Sequence, residues 1–172
     1  LLSRWPATSR PAVLCGGGNN GGDGYVVARL AREAGLEPQV YYLRDPRQMK
    51  GDALTMALRA RDAGVPMRPL SVDDLPADAP LLVDGLFGTG ISGALRDDIG
   101  ALIKALDNLH KPVLALDLPS GLNADSGAPA GAVLGAQCTI TFIGVNRGLL
   151  TGSGPVYCGE LVFDDLGVDR PV

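Results

Sequence analysis

A parallel α/β fold follows from three features of the sequence. Short apolar runs rich in Val, Ile, Leu and Tyr alternate with segments of helical period, and most of the runs are apolar on both faces. The chain, 172 residues that are 46% hydrophobic and 20% charged, carries enough apolar mass for one buried core. Strands of this kind, joined by helices, form a parallel sheet covered on both sides through right-handed crossovers. The expected architecture is a Rossmann-like three-layer αβα sandwich with a mainly parallel sheet, a single domain over residues 1–172.

The elements follow in chain order. "AVLCG" (12–16) is the first strand. It runs into "GGGNNGGDG" (16–24) and a helix expected to begin near Gly24 or Tyr25, with Val26, Val27, Leu30, Ala31 and Ala34 on one apolar face. "PQVYYL" (38–43) is the second strand, and Ala53, Leu54, Ala57 and Leu58 mark the second helix. "PLLVDGL" (80–86) is a third strand, and Ile99, Leu102, Ile103 and Leu106 mark the third helix, with His110 read as its C-terminal residue. "PVLALDL" (112–118), "QCTITFIG" (137–144) and "GELVFDD" (159–165) complete the strands, the last of them expected at a less regular edge. "APAGAV" (128–133) and "GLLTGSGP" (148–155) read as long loops.

Composition narrows the function. The net charge is −4, with acidic and basic residues dispersed, so no basic stripe invites nucleic acid or anionic lipid. No apolar run reaches the roughly 20 residues of a membrane span. Cys15, Cys138 and Cys158 form no CxxC pair, and an odd count reads as reduced packing thiols in a cytoplasmic protein. The chain opens at Leu1, and "LLSRW" reads as the end of a helix, so an upstream segment is expected.

In doubly wound sheets ligands collect beyond the carboxyl ends of the strands, and three such ends carry polar signals. At the first, Gly16, Gly18 and Gly21 satisfy G-x-G-x-x-G in a strand-turn-helix setting, where free N–H groups at a helix start favour a pyrophosphate. A tight turn alone explains the glycines but leaves Asn19 and Asn20 unexplained. At the second, "VDGLFGTGISG", Asp84 closes an apolar run, and Gly88, Gly90 and Gly93 repeat the spacing, with Thr89 and Ser92 adding hydroxyls that fit either a ligand or a turn. Two fingerprints in one small domain read as two walls of one site. At the third, "LALDLPSGLNADSG", Asp117 ends a strand before Pro119, Ser120 and Gly121. A carboxylate half-buried in such a cleft is suited to proton transfer. Oxygens from Asn20, Asp84 and Ser120 would suit a hard cation, and without clustered His or Cys a zinc site is not expected.

"NNGGDG", "VDGLFGTG" and "DLPSGLNADSG", followed by "TITF", "GLLTG" and "GELVFDDLGV", resemble the NAD(P)H-hydrate epimerase family, the YjeF N-terminal domain, from about Pro11 to Val168. Proteins of that family interconvert the R and S forms of NADHX and NADPHX, hydrated at C6 of the nicotinamide, so that an ATP- or ADP-dependent dehydratase can restore the S form. The resemblance implies an isomerase whose substrate is lined by Asn19, Asn20, Gly21, Gly22 and Asp23, by Gly88, Thr89, Gly90, Ile91, Ser92, Gly93 and Ala94, and by Asp117. It implies a potassium ion on Asn20, Asp84 and Ser120, a homodimer, and possible fusion to a dehydratase domain. Asp117 is expected to be the catalytic acid and base. Gly17 stands where the family usually has Pro, and Asn146, followed by Arg147, where many relatives carry Lys. Two rival readings stay open: an NAD-dependent oxidoreductase with Asp45 on the ribose, and a nucleotide-binding module without catalysis.

Overall fold

A computed structural model describes residues 3–90 and 93–167. Seven strands, all parallel to their neighbours, form one sheet in the order β3-β2-β1-β4-β5-β6-β7. They are β1 (Ala12–Cys15), β2 (Gln39–Tyr42), β3 (Met67–Pro69), β4 (Leu82–Gly85), β5 (Val113–Leu116), β6 (Cys138–Phe142) and β7 (Glu160–Asp164). The helices are α1 (Asn19–Glu33), α2 (Gly51–Asp62) and α3 (Asp97–Asp107), followed by the short α4 (Arg147–Leu150) and α5 (Gly154–Tyr157).

The period-two alternation of β1 sorts the layers. Val13 and Cys15 face a cluster with Tyr25 and Ala28 of α1 and Ala53, Ala57 and Ala60 of α2. Ala12 and Leu14 face the opposite cluster, with Leu102, Ile103 and Leu106 of α3. Small residues on the facing sides of α1 and α2 let both helices lie close to the sheet. Because successive β-strand side chains point to opposite faces, a strand apolar throughout is satisfied only by this double cover. Strand order reverses between β1 and β4, whose registers both pair Ala12 to Cys15. That is the switch point at which a crevice opens.

Several boundaries differ from the sequence reading. The first helix begins at Asn19, not at Gly24 or Tyr25, so the glycine-rich stretch is largely its first two turns. Tertiary contact overrides glycine's poor helix propensity here, because Gly21 and Gly24 pack where a side chain would collide with Gly16 and Cys15. The edge strand β3 went unread, being three residues long, only partly buried and carrying an exposed charge, Arg68, and a proline, Pro69, that is confined to sheet edges. The "GLLTGSGP" stretch folds into α4 and α5 instead of a plain loop, and β7 is a regular strand paired along its full length with β6. His110 lies past the end of α3, with φ of 51°, in the turn that leads into β5. The three cysteines are free and buried, as packing thiols should be.

Candidate active site

The loops that follow β1 and β4 meet because glycine lets their backbones touch, and a second glycine lets α1 start close against the first loop. A Cβ at Gly16 would run into the Leu86 carbonyl, joining the first loop to the second. A Cβ at Gly21 would run into the carbonyl of Gly16. Gly18 is different: nothing lies within 4 Å of its Cβ position, so packing within the chain does not require glycine there. Open space beside a main chain that needs no side chain is where a ligand can approach closely. Gly21→Ala is therefore expected to destabilise the fold by about 1–3 kcal/mol, whereas Gly18→Ala leaves the melting temperature unchanged and weakens ligand binding; paired thermal melts and nucleotide titrations separate the two.

Over these loops lies a cavity of about 440 Å³, bounded by Gly17, Gly18, Asn19, Asn20, Asp23, Leu86, Phe87, Gly88, Thr89, Gly90, Asp117 and Phe142. The amino end of α1 points into this region. Among the described residues no side chain caps α1, and its first turn holds no acidic residue, leaving free N–H groups and the positive end of the helix dipole for an anion.

Asn20 is 8% exposed, and among the described residues neither its amide oxygen nor its nitrogen has a hydrogen-bond partner. A buried amide left unpaired costs about 1–3 kcal/mol unless something else meets it. Gly88 sits between Asn20 and Asp117: a Cβ there would lie 3.3 Å from the Asn20 Cβ and 3.3 Å from Asp117 Oδ2. All three strand ends thus converge on one place.

Beneath the cavity floor Asp84, within β4 and fully buried, joins the second loop to the third. Its Oδ2 accepts the Ser120 N–H at 2.8 Å, and its Oδ1 accepts the Ser120 hydroxyl at 2.6 Å and the Leu86 N–H at 3.2 Å. Ser120 Oγ in turn accepts the Phe87 N–H at 3.0 Å. Burial pushes the Asp84 carboxyl up to about 6, against the lowering effect of those hydrogen bonds.

Asp117 follows β5 with φ of 65°, a left-handed conformation that costs a non-glycine residue about 1 kcal/mol or more and that Asn and Asp tolerate best. Its Oδ1 accepts from Asn146 Nδ2 at 3.1 Å and from the Thr141 hydroxyl at 3.3 Å. Its other oxygen lies toward Gly88 and the cavity. Burial raises the Asp117 pKa above the ordinary carboxylate value, and Asp23, on the opposing wall, is raised by desolvation and by the charge of Asp117.

For both groups the folded pKa exceeds the unfolded one. The folded chain therefore holds more protons between about pH 4 and the raised values, and stability falls as pH rises through that window. Asp84 adds to the same slope. Asp117→Asn should flatten it, which urea melts across pH 4 to 7 would measure.

Of the residues named from sequence, Asn19, Asn20, Asp23, Gly88, Thr89, Gly90 and Asp117 line the cavity, while Asp84 and Ser120 underlie it. Gly21 and Gly22 are buried packing positions on α1. Gly93 and Ala94 line neighbouring depressions, and Ile91 and Ser92 lie outside the described residues. The sequence reading marked Asn146 only as a departure from the family pattern, and it did not single out Thr141, which with Asn146 orients Asp117, or the cavity rings Phe87 and Phe142. Only the three-dimensional approach of β6 and the following loop to β5 identifies them. Asp45, the ribose ligand of an oxidoreductase reading, is instead the cap of a short turn, with both carboxylate oxygens on Arg47 and its place on the α2 side.

The parallel sheet and its switch-point cavity define a doubly wound α/β protein with a crevice at the carboxyl edge of the sheet, where such folds take their ligands. The chain belongs to the family described as YjeF-related protein N-terminus, whose profile matches residues 1–148. It is 44% identical over 170 residues to the bifunctional NAD(P)H-hydrate repair enzyme Nnr of Coxiella burnetii, covering 99% of this chain and 35% of that protein. It is 37% identical over 172 residues to the NAD(P)H-hydrate epimerase of Legionella pneumophila (strain Corby), covering 96% of this chain and 64% of that one. The crystal structure of the yeast protein ynu0 shares the fold, with a TM-score of 0.74 at 19% identity over 91% of this chain and 65% of that one. The chain thus spans about a third of the first relative and less than two thirds of the second. No helix among the described residues is long and apolar enough to cross a membrane.

Proposed function

We propose that this protein is an NAD(P)H-hydrate epimerase, interconverting the R and S epimers of NADHX and NADPHX. The observation that carries the reading is the placing of a half-buried carboxylate, Asp117, in one cavity with the uncapped start of α1. The pyrophosphate meets the free N–H groups of Asn19 and its neighbours, and the hydrated nicotinamide lies toward Asp117 between the rings of Phe87 and Phe142.

Epimerisation at C6 is net neutral in electrons and atoms, so the site has only protons to move. Ionised Asp117 takes the proton of the C6 hydroxyl; the C6–O bond becomes a carbonyl, and the C6–N1 bond breaks with its pair left on N1. The Asp117 proton passes to N1. After the carbonyl turns its other face, N1 re-forms the bond to C6, its proton returns through Asp117, and the hydroxyl is restored with opposite configuration. Thr141 and Asn146 hold Oδ1 and so aim Oδ2 at the ring. A carboxyl pKa raised by burial makes Asp117 a better base once ionised, and it moves the acid limb of the rate profile above the ordinary carboxylate range.

Potassium belongs to the same proposal. The unpaired amide of Asn20, the Ser120 hydroxyl and the single carboxylate of Asp84 are an all-oxygen donor set, and one negative charge suits a monovalent cation better than a divalent one. Bound there, the ion would neutralise Asp84 and tie α1 to the second and third loops. A potassium titration against sodium should raise the melting temperature of the full chain, and Asn20→Ala should remove the rise. A dehydratase, on the same polypeptide or separate, would consume the S epimer. A homodimer and a cytoplasmic location complete the proposal.

The test is a coupled assay in which mixed NADHX epimers meet an S-specific dehydratase. Alone, the dehydratase stops at the S fraction; with the full chain added, conversion runs to completion. Conversion that still stops at the S fraction would overturn the reading.

A further inference from the structure

Beyond Gly17 and Phe87 the cavity continues into a second depression of about 350 Å³ on the α3 side. Both depressions fall within the roughly 300–1,000 Å³ range of small-molecule sites, and side by side they offer separate places for the two halves of a dinucleotide. Its lining is apolar, with Leu43, Leu95 and Ile99, except for two cations, Arg44 and Arg96. They stand 52 residues apart in the chain, which is why no arginine cluster was visible in the sequence.

Arg44 lies two residues past the end of β2, and its aliphatic stem lies over Gly17: a Cβ at that glycine would sit 3.0 Å from Arg44 Cδ. Its guanidinium joins no ion pair among the described residues. In doubly wound dinucleotide sites, the residue just past the second strand reads the ribose 2′ position: a carboxylate selects a free hydroxyl, an arginine accommodates a phosphate. Here the nearby carboxylate, Asp45, is closed onto Arg47 and lies on the α2 side, while Arg44 lies over the glycine turn. Arg96 shares its charge with Asp98 at 2.9 Å, so Arg44 is the principal cation.

We infer that this depression is the adenosine subsite and that Arg44 recognises a 2′-phosphate, making NADPHX the preferred substrate. The inference rests on the dinucleotide reading above and names its specificity. A guanidinium forms charge-assisted, often bidentate bonds to phosphate, and the apolar walls suit the flat adenine.

Calorimetry on the full chain with 2′,5′-ADP and 5′-ADP reads this directly. The wild type should bind 2′,5′-ADP at least about tenfold more tightly. Arg44→Ala should erase most of that ratio, and Arg44→Lys should keep part of it. Because Arg44 is exposed, neither change threatens the fold. In the coupled assay, the ratio of KM values for NADHX and NADPHX should fall toward one in Arg44→Ala. Equal affinity of the wild type for the two probes, or a preference that survives Arg44→Ala, would overturn the inference while epimerase activity stood. Preference without epimerisation would retain the subsite and overturn the proposed reaction instead.

Discussion

Asp117→Asn is expected to lower epimerisation by about a hundredfold to ten-thousandfold, the usual range for losing a positioned acid–base group, while leaving the fold intact. The geometry makes this a clean substitution. Asn is tolerated at φ of 65° as well as Asp is, and the retained Oδ1 can keep the bonds from Asn146 and Thr141. Only the cavity-facing oxygen changes, to an amide nitrogen that cannot take a proton. The variant also removes a partly buried charge whose pKa burial has raised, so its stability at neutral pH should rise. Activity measured beside a urea melt therefore separates this account from one in which Asp117 merely holds the turn: a structural role predicts both quantities falling together.

Asp84→Asn should have the largest effect on stability. The carboxylate accepts three hydrogen bonds in full burial and links β4 to the loop after β5. An amide of the same shape turns one acceptor into a donor facing N–H or O–H groups. Each buried donor so orphaned costs about 1–3 kcal/mol, and the summed loss of roughly 3 kcal/mol corresponds to about 6–12 °C in melting temperature for a chain of this size. Burial opposes this by penalising the carboxylate's charge, as its raised pKa records. The hydrogen bonds dominate because replacing the acceptor leaves their donors buried. The substitution should also abolish any difference between potassium and sodium in thermal melts. A variant as stable as the wild type that still distinguished the two ions would contradict both roles.

The sequence carried the layers, the parallel sheet and the three strand ends, because apolar runs and helix-period faces are properties of local stretches. It also carried Asp84 and Asp117, since a polar residue ending an apolar strand is visible in one dimension, and Asn20, since an amide that a glycine turn does not need stands out in the same way. Relations between distant segments were not visible. Asn146 and Thr141 matter only because β6 and its following loop lie beside β5, and Arg44 and Arg96 only because β2 and α3 flank one groove. The early start of α1 was hidden because glycines usually break helices, and here close packing against Gly16 and Cys15 demands them.

The central claim is that one pyridine nucleotide bridges the three loops with its C6 carbon at Asp117. A crystal of the full chain soaked with NADPHX tests it most directly. The account predicts the pyrophosphate on the N–H groups at the start of α1 and the C6 hydroxyl within hydrogen-bond reach, about 2.6–3.2 Å, of an Asp117 carboxylate oxygen. A nucleotide bound with its nicotinamide away from Asp117, or seated at the opposite end of the strands, would contradict it.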